Sequence, residues 1–148
     1  QNPSHIPSGN SNFIKGSTAS TTWWGTGGLA SNTWSGNTPS ATNGKAPCAA
    51  LGAGWHMPSA TEWTNVLNAE WISDNISAFD SRLKLTESGY RNFETGAYTP
   101  GWVGGYYWSS TAANNNVANN LFFDAAYNAF VTPMMYRGYG APCRCVKN

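Results

Sequence analysis

Few residues in this chain have intrinsic reactivity. There are three cysteines, Cys48, Cys143 and Cys145, and two histidines, His5 and His56. The cysteines lack the paired CxxC spacing of a zinc site. Neither histidine lies near a cysteine or a run of carboxylates in sequence, so His56 reads as a packing or loop residue and no metal is expected. A glycine-rich phosphate loop, a serine nucleophile elbow and paired carboxylates at catalytic spacing are also missing from the sequence. The expectation is a protein that is not an enzyme and needs no cofactor. The simplest count for three thiols is one long-range disulfide from Cys48 and one leftover cysteine. Such a bridge would close a loop of nearly the whole domain, constrain the unfolded chain by roughly 4–5 kcal/mol and imply an oxidising compartment.

Non-covalent chemistry is more abundant and lies in the C-terminal third. Tyr106, Phe122, Tyr127, Tyr136 and Tyr139 offer apolar contact area there. Asn114, Asn115, Asn116, Asn119, Asn120, Asp124 and Asn128 offer directional hydrogen bonds. Aromatic rings bring much contact area at low entropic cost, and amides adapt their hydrogen bonding, so the mixture is that of a recognition surface. Strand alternation puts Leu121 and Phe123 on one face and Phe122 and Asp124 on the other. An exposed Phe122 with a polar rim would have the anatomy of a binding hot spot. The plainer alternatives are a polar loop for the Asn cluster and a Phe122 covered by the N-terminal loops.

These residues need a scaffold, and the 148 residues suffice for one domain with its own core, spanning 1–148. Charged residues make up 10% of the chain and the net charge is +1, which excludes the basic field of a nucleic-acid binder. The longest apolar runs, such as Ala49 to Ala53, fall far short of the roughly 20 residues of a membrane helix, so no direct membrane insertion is expected. The chain opens at Gln1 without a leader and reads as a mature or excised fragment. Residues 1–44 are rich in Ser, Thr, Gly and Asn around Trp23, Trp24 and Trp34. That composition predicts loops anchored by aromatics, with a disordered linker as the alternative.

Ser59-Ala60-Thr61-Glu62 is a capping box, and Trp63, Val66, Leu67 and Trp71 follow at helical spacing as one buried stripe. A second, shorter helix is predicted from Ser73 or Asp74, carrying Ile76 and Phe79 toward the core, followed by a strand with Leu83 and Leu85. Further strands are expected at Tyr106 to Ser109, Asn120 to Asp124 and Phe130 to Met135, with Ala125 to Ala129 as a hairpin turn and Cys143 to Lys147 completing the sheet. Early helices and late antiparallel strands make an α+β domain without internal repeats.

In order, the chain contains Gly54-Trp55-His56-Met57-Pro58-Ser59, Glu62-Trp63, Leu83-Lys84-Leu85, Gly89-Tyr90-Arg91-Asn92, Gly105-Tyr106-Tyr107-Trp108-Ser109-Ser110, Leu121-Phe122-Phe123, Arg137 and Arg144-Cys145-Val146. With Cys48, this set resembles the Fibrobacter succinogenes major paralogous domain, over roughly residues 45–148. The resemblance implies a C-type-lectin-like fold with two short helices, antiparallel sheets and long loops. It implies that the Gly-Trp-x-x-Pro-Ser segment introduces the first helix, that the Trp-Ser-Ser strand floors the second sheet, and that Cys48 bridges Cys145. Cys143 departs from the pattern, where an aliphatic residue is usual, and by strand period it shares a face with Cys145, which leaves the choice between them open.

The same fold serves the variable proteins of diversity-generating retroelements, whose C-terminal segment is rewritten at adenine-bearing codons. The resemblance therefore implies a variable ligand-binding region over 106–145. Its partner would be a protein or glycan on another cell or particle surface. The expected location is extracellular, on a cell surface or on a phage virion, in adhesion or phage receptor binding. Other readings are a structural surface domain without its own ligand, a formylglycine-generating-type oxidase using Cys143 and Cys145, and a lectin. The acidic tripeptides of calcium-dependent sugar sites are missing, and Trp102 is the one candidate for calcium-free sugar stacking.

Overall fold

The computed structural model describes residues 48, 51–92, 95–101, 104–113, 117–136 and 138–148. The readings for residues 1–44, Trp102, Asn114 to Asn116 and Arg137 lie outside them. The described chain is α+β, with two helices and three small antiparallel sheets.

Helix α1, Ala60–Ala69, starts where the capping box predicts. Ser59 Oγ accepts from the Glu62 N–H at 3.1 Å, and the Ser59 N–H donates to Glu62 Oε2 at 2.8 Å. Trp63 is fully buried, and Val66 and Leu67 pack beside it. Trp71 does not complete the stripe: it is 86% exposed. The helix ends at Ala69, Trp71 turns through a left-handed backbone (φ 53°), and the Ile72 N–H returns to the Leu67 carbonyl at 3.0 Å. This six-to-one closure is a Schellman stop. It sends Ile72, not Trp71, into the core.

Helix α2, Asn75–Asp80, is capped by Asp74, whose Oδ1 accepts from the Ser77 N–H at 2.7 Å. Its core residue is Ala78. Ile76 and Phe79, expected inside, are 68% and 55% exposed. The Asn75 N–H donates to the Asp124 carbonyl and the Leu85 N–H to the Ala78 carbonyl. Those two bonds press Ala78 inward, and at about 100° per residue Ile76 and Phe79 then point away. Leu85 is buried and Leu83 half-buried, as alternation implies. They do not form a strand, because Lys84 between them has φ 49°.

The main sheet has the order β4-β5-β6, from Gly105–Ala112, Val117–Phe123 and Ala129–Tyr136. All three strands run longer than the sequence suggests. Pro133, which cannot donate to a ladder, lies in β6 at the sheet edge, where that loss is tolerated. One sheet face carries Tyr107, Leu121 and Phe123 against Trp63 of α1. The Trp63 Nε1–H donates to the Trp108 carbonyl at 3.1 Å. The opposite face carries Trp108, Ala118 and Met135 against Met57 and Cys48.

Two short pairs complete the described fold. Strand β1, Trp55–His56, pairs with β7, Val146–Lys147, and β2, Tyr90–Arg91, pairs with β3, Tyr98–Thr99. The terminal segment thus does not complete the main sheet. It touches it through the Trp108 N–H, which donates to the Pro142 carbonyl, and then leaves to meet β1. Residues 141–145 are irregular, so the shared strand face expected for Cys143 and Cys145 does not exist. Cys145 bridges Cys48 across 97 residues, and Cys143 is free and exposed. The disulfide is compatible with an extracellular location, and among the described residues no helix is long and apolar enough to cross a membrane.

His56 is not the isolated side chain that the linear sequence suggests. Its Nε2 lies 2.7 Å from Glu62 Oε1 and its Nδ1 3.3 Å from the Gly54 carbonyl. Both ring nitrogens face acceptors, so the imidazolium is favoured. The Glu62 hydrogen bond raises the His56 pKa above 6.5, against a smaller opposing effect of burial. Burial would raise the Glu62 carboxyl, but hydrogen bonds from Ser59 and His56 outweigh it and hold the pKa below its ordinary value.

Two outcomes follow from these contacts. Trp71→Gly removes a Cβ from a left-handed position and is expected to raise stability by roughly 0.5–1 kcal/mol, measured by urea unfolding. For His56, stability from the pair is full below the unfolded pKa and is lost as pH rises through the higher folded value. The NMR titration midpoint of the His56 ring should therefore lie above 6.5, and Glu62→Gln should bring it down. The stability at stake is under about 1 kcal/mol, because both groups are partly exposed.

Candidate functional site

The main sheet's second face is built from cross-strand rungs. Tyr106 pairs with Phe122 and Phe122 with Phe130, so three rings stand side by side across β4, β5 and β6. The Tyr106–Phe122 and Phe122–Phe130 centroids are 5.0 and 5.2 Å apart, distances at which aromatic pairs attract beyond simple area burial. The next rung is Trp108, Asn120 and Thr132. Gly104 makes room at one end. Its φ is 130°, and a Cβ there would sit 2.8 Å from Phe122 Cε2. Only a residue without a side chain suits both conditions.

Two loops extend the rings outward. Tyr90 of β2 meets Tyr106 edge-on at 5.0 Å and Tyr139 edge-on at 5.0 Å, and Tyr139 stacks on Tyr136 at 6.1 Å. The backbone bonds between Arg91 and Gly140 hold β2 and the 138–140 segment together, which keeps Tyr90 and Tyr139 in contact. A continuous ribbon of rings therefore runs from Phe130 through Phe122, Tyr106, Tyr90 and Tyr139 to Tyr136.

Behind this ribbon lies a cavity of about 250 Å³, open on one side. Tyr90, Tyr106, Phe122, Phe130 and Tyr139 supply its rings, and Asn120, Thr132 and Met135 the remainder. Asn120 is 1% exposed. Its Nδ2 donates to the Leu121 carbonyl at a long 3.4 Å, and its Oδ1 has no hydrogen-bond partner among the described residues. Leaving a buried carbonyl without a partner costs on the order of 1–3 kcal/mol. Burial raises the Tyr106 pKa, with smaller contributions from Tyr90 and the Asp124 carboxylate.

The predicted site residues divide into three groups. Tyr106, Asn120, Phe122 and Tyr139 come together at the cavity, and Tyr136 extends it. Asp124 and Asn128 instead lock the β5–β6 turn: Asp124 Oδ1 accepts from the Ala126 and Asn128 N–H groups, and the Asn128 amide returns to the same carboxylate. Tyr127 is exposed at the left-handed position of that turn, away from the cavity. Asn119 is half-buried and donates to the Thr111 carbonyl, which supports the start of α1 through Thr111 Oγ1 and the Ala60 N–H. Phe122 is half-buried by its neighbouring rings, not freely exposed.

The sequence reading does not include Tyr90, Phe130, Thr132 and Met135 among the site residues. Phe130 and Thr132 are within its reach, because a hairpin closed by Asp124 and Asn128 puts them opposite Phe122 and Asn120. Tyr90 carries no such signal, since it arrives on β2, a separate segment well ahead of the main sheet. Among the described residues, no group of three His, Cys, Asp or Glu side chains is placed to hold a metal ion. No protein-family model matches the chain, and neither a curated protein nor a solved structure does.

The two adjacent phenylalanines should separate packing from surface chemistry. Phe123 is fully buried against Trp63 and Tyr107, so Phe123→Ala is expected to cost about 3–5 kcal/mol. Phe122→Ala should cost clearly less, since its ring borders an open cavity. Denaturant unfolding of both variants checks this. Equal losses would mean that Phe122 belongs to the core.

Proposed function

We propose that the chain is a ligand-binding module that recognises a macromolecule through the aromatic ribbon and its cavity, by surface complementarity and without a cofactor or catalysis. The observation that carries this reading is Asn120: a buried carbonyl without a partner among the described residues, in the wall of an aromatic-lined cavity. A group that enters the cavity and donates a hydrogen bond satisfies it. Low charge in the chain, and aromatics held rigid by cross-strand pairing, fit a preorganised contact surface.

In its finer form, the reading is a C-type-lectin-like domain of the Fibrobacter succinogenes major paralogous type, used as the variable protein of a diversity-generating retroelement. The motifs from Gly54 to Val146 support it, as do the two helices and small antiparallel sheets and the Cys48–Cys145 bridge. The partner would be a protein or glycan on another cell or particle surface, and the module would be displayed on a cell or a phage virion.

Coding sequences for residues 106–145 from many related isolates test this. Changes are expected to concentrate at the codons for Tyr106, Asn120, Phe122, Phe130, Tyr136 and Tyr139, opposite adenines of a nearby template repeat, while Trp108, Leu121, Phe123 and Arg144 hold still. Variation spread evenly over both sets would remove the diversified-recognition reading and leave an ordinary surface module.

A further inference from the structure

We infer that the cavity behind the aromatic ribbon takes the cationic end of a basic side chain, an arginine or lysine presented by a protein partner. The inference rests on the recognition reading and narrows it to one ligand chemistry. The orphaned Oδ1 of Asn120 is an acceptor and calls for a donor. Aromatic side chains form most of the rest of the wall, and the face of each ring is the negative end of its quadrupole, which attracts a cation. No basic residue is among the described residues that line the cavity.

No described lining residue carries a positive charge, so an anion gains little there beyond hydrogen bonds from the tyrosine or threonine hydroxyls. A neutral hydroxyl could satisfy Asn120 but would leave the ring faces unused. An ammonium or guanidinium uses both. A planar guanidinium stacks flat on an aromatic ring while donating in its own plane, so it can use a ring and a carbonyl at once. A space of about 250 Å³ suits one side-chain head, not an extended ligand.

The test is a titration of the full 15N-labelled chain, followed by backbone amide shifts, with three probes: Nα-acetyl-arginine amide, Nα-acetyl-norleucine amide and methyl glucoside. The arginine probe is expected to shift the resonances of Asn120, Phe122 and Phe130 and to bind roughly tenfold more tightly than norleucine amide. Asn120→Leu removes the orphaned acceptor at similar volume. It should stay folded and bind the arginine probe no better than the norleucine one. If that variant does not fold, Phe130→Leu at the exposed rim should weaken arginine binding while leaving the melting temperature nearly unchanged. Norleucine amide or methyl glucoside moving the same resonances as strongly as arginine would overturn the cationic assignment and leave a recognition cavity of another class. No shift at these positions with any probe would also overturn it, and codon variation over 106–145 would then decide separately whether the face is a recognition surface.

Discussion

The middle strand of the main sheet, β5, is paired on both edges and covered on both faces. Every one of its residues must therefore suit two neighbouring strands and one packed layer. Leu121 and Phe123 face Trp63 and Tyr107, while Ala118, Asn120 and Phe122 face the disulfide-linked side. A shift of one residue would exchange these sets and bury Asn120 against α1. Register here consequently determines the helix contact, the cavity and the position of the aromatic rungs together.

Regular structure covers the two faces unequally. On one side, α1 brings a capped helix with a fully buried Trp, and the packing is continuous. On the other, the described cover consists of two-residue strands, loops and the Cys48–Cys145 bridge, which have few ladder bonds of their own. The bridge closes 97 residues of chain and restricts the unfolded state by roughly 4–5 kcal/mol, which offsets the loop-rich character of this layer. Loops that contact a sheet only through ring edges and single backbone bonds leave gaps, and the cavity beside Asn120 is one of them.

Several polar residues of the C-terminal third build the fold itself. Asp124 and Asn128 direct their hydrogen bonds into the turn between β5 and β6, and Asn119 supports the helix start through Thr111. Asn120 keeps an acceptor unmet. Aromatic residues, held by cross-strand pairing and by edge-on contacts from the loops, make up most of the wall of the cavity.

Local chemistry was legible in the sequence wherever neighbours along the chain decide it. The Ser59 capping box needs Glu62 on the first turn and nothing more distant. The opposite faces of Phe122 and Phe123 follow from the alternation of a strand. Other features depended on partners far away in sequence or on how an element ends. Trp71 fits the helical stripe, but closure from Ile72 to Leu67 ends the helix first and turns the indole outward. Ile76 and Phe79 lose their places to Ala78 because bonds to Asp124 and Leu85 set the rotation of α2. His56 meets Glu62, six residues on, because of how the chain turns between β1 and α1. The sequence by itself determined the α+β class, the helix start, the strand faces and the aromatic-amide chemistry of the tail, because each rests on short-range periodicity or composition. Only the tertiary structure decided that Cys145 takes Cys48, that Tyr90 joins the site, and that the Asn120 carbonyl has no partner, because each depends on which distant segments cover the second face of the sheet.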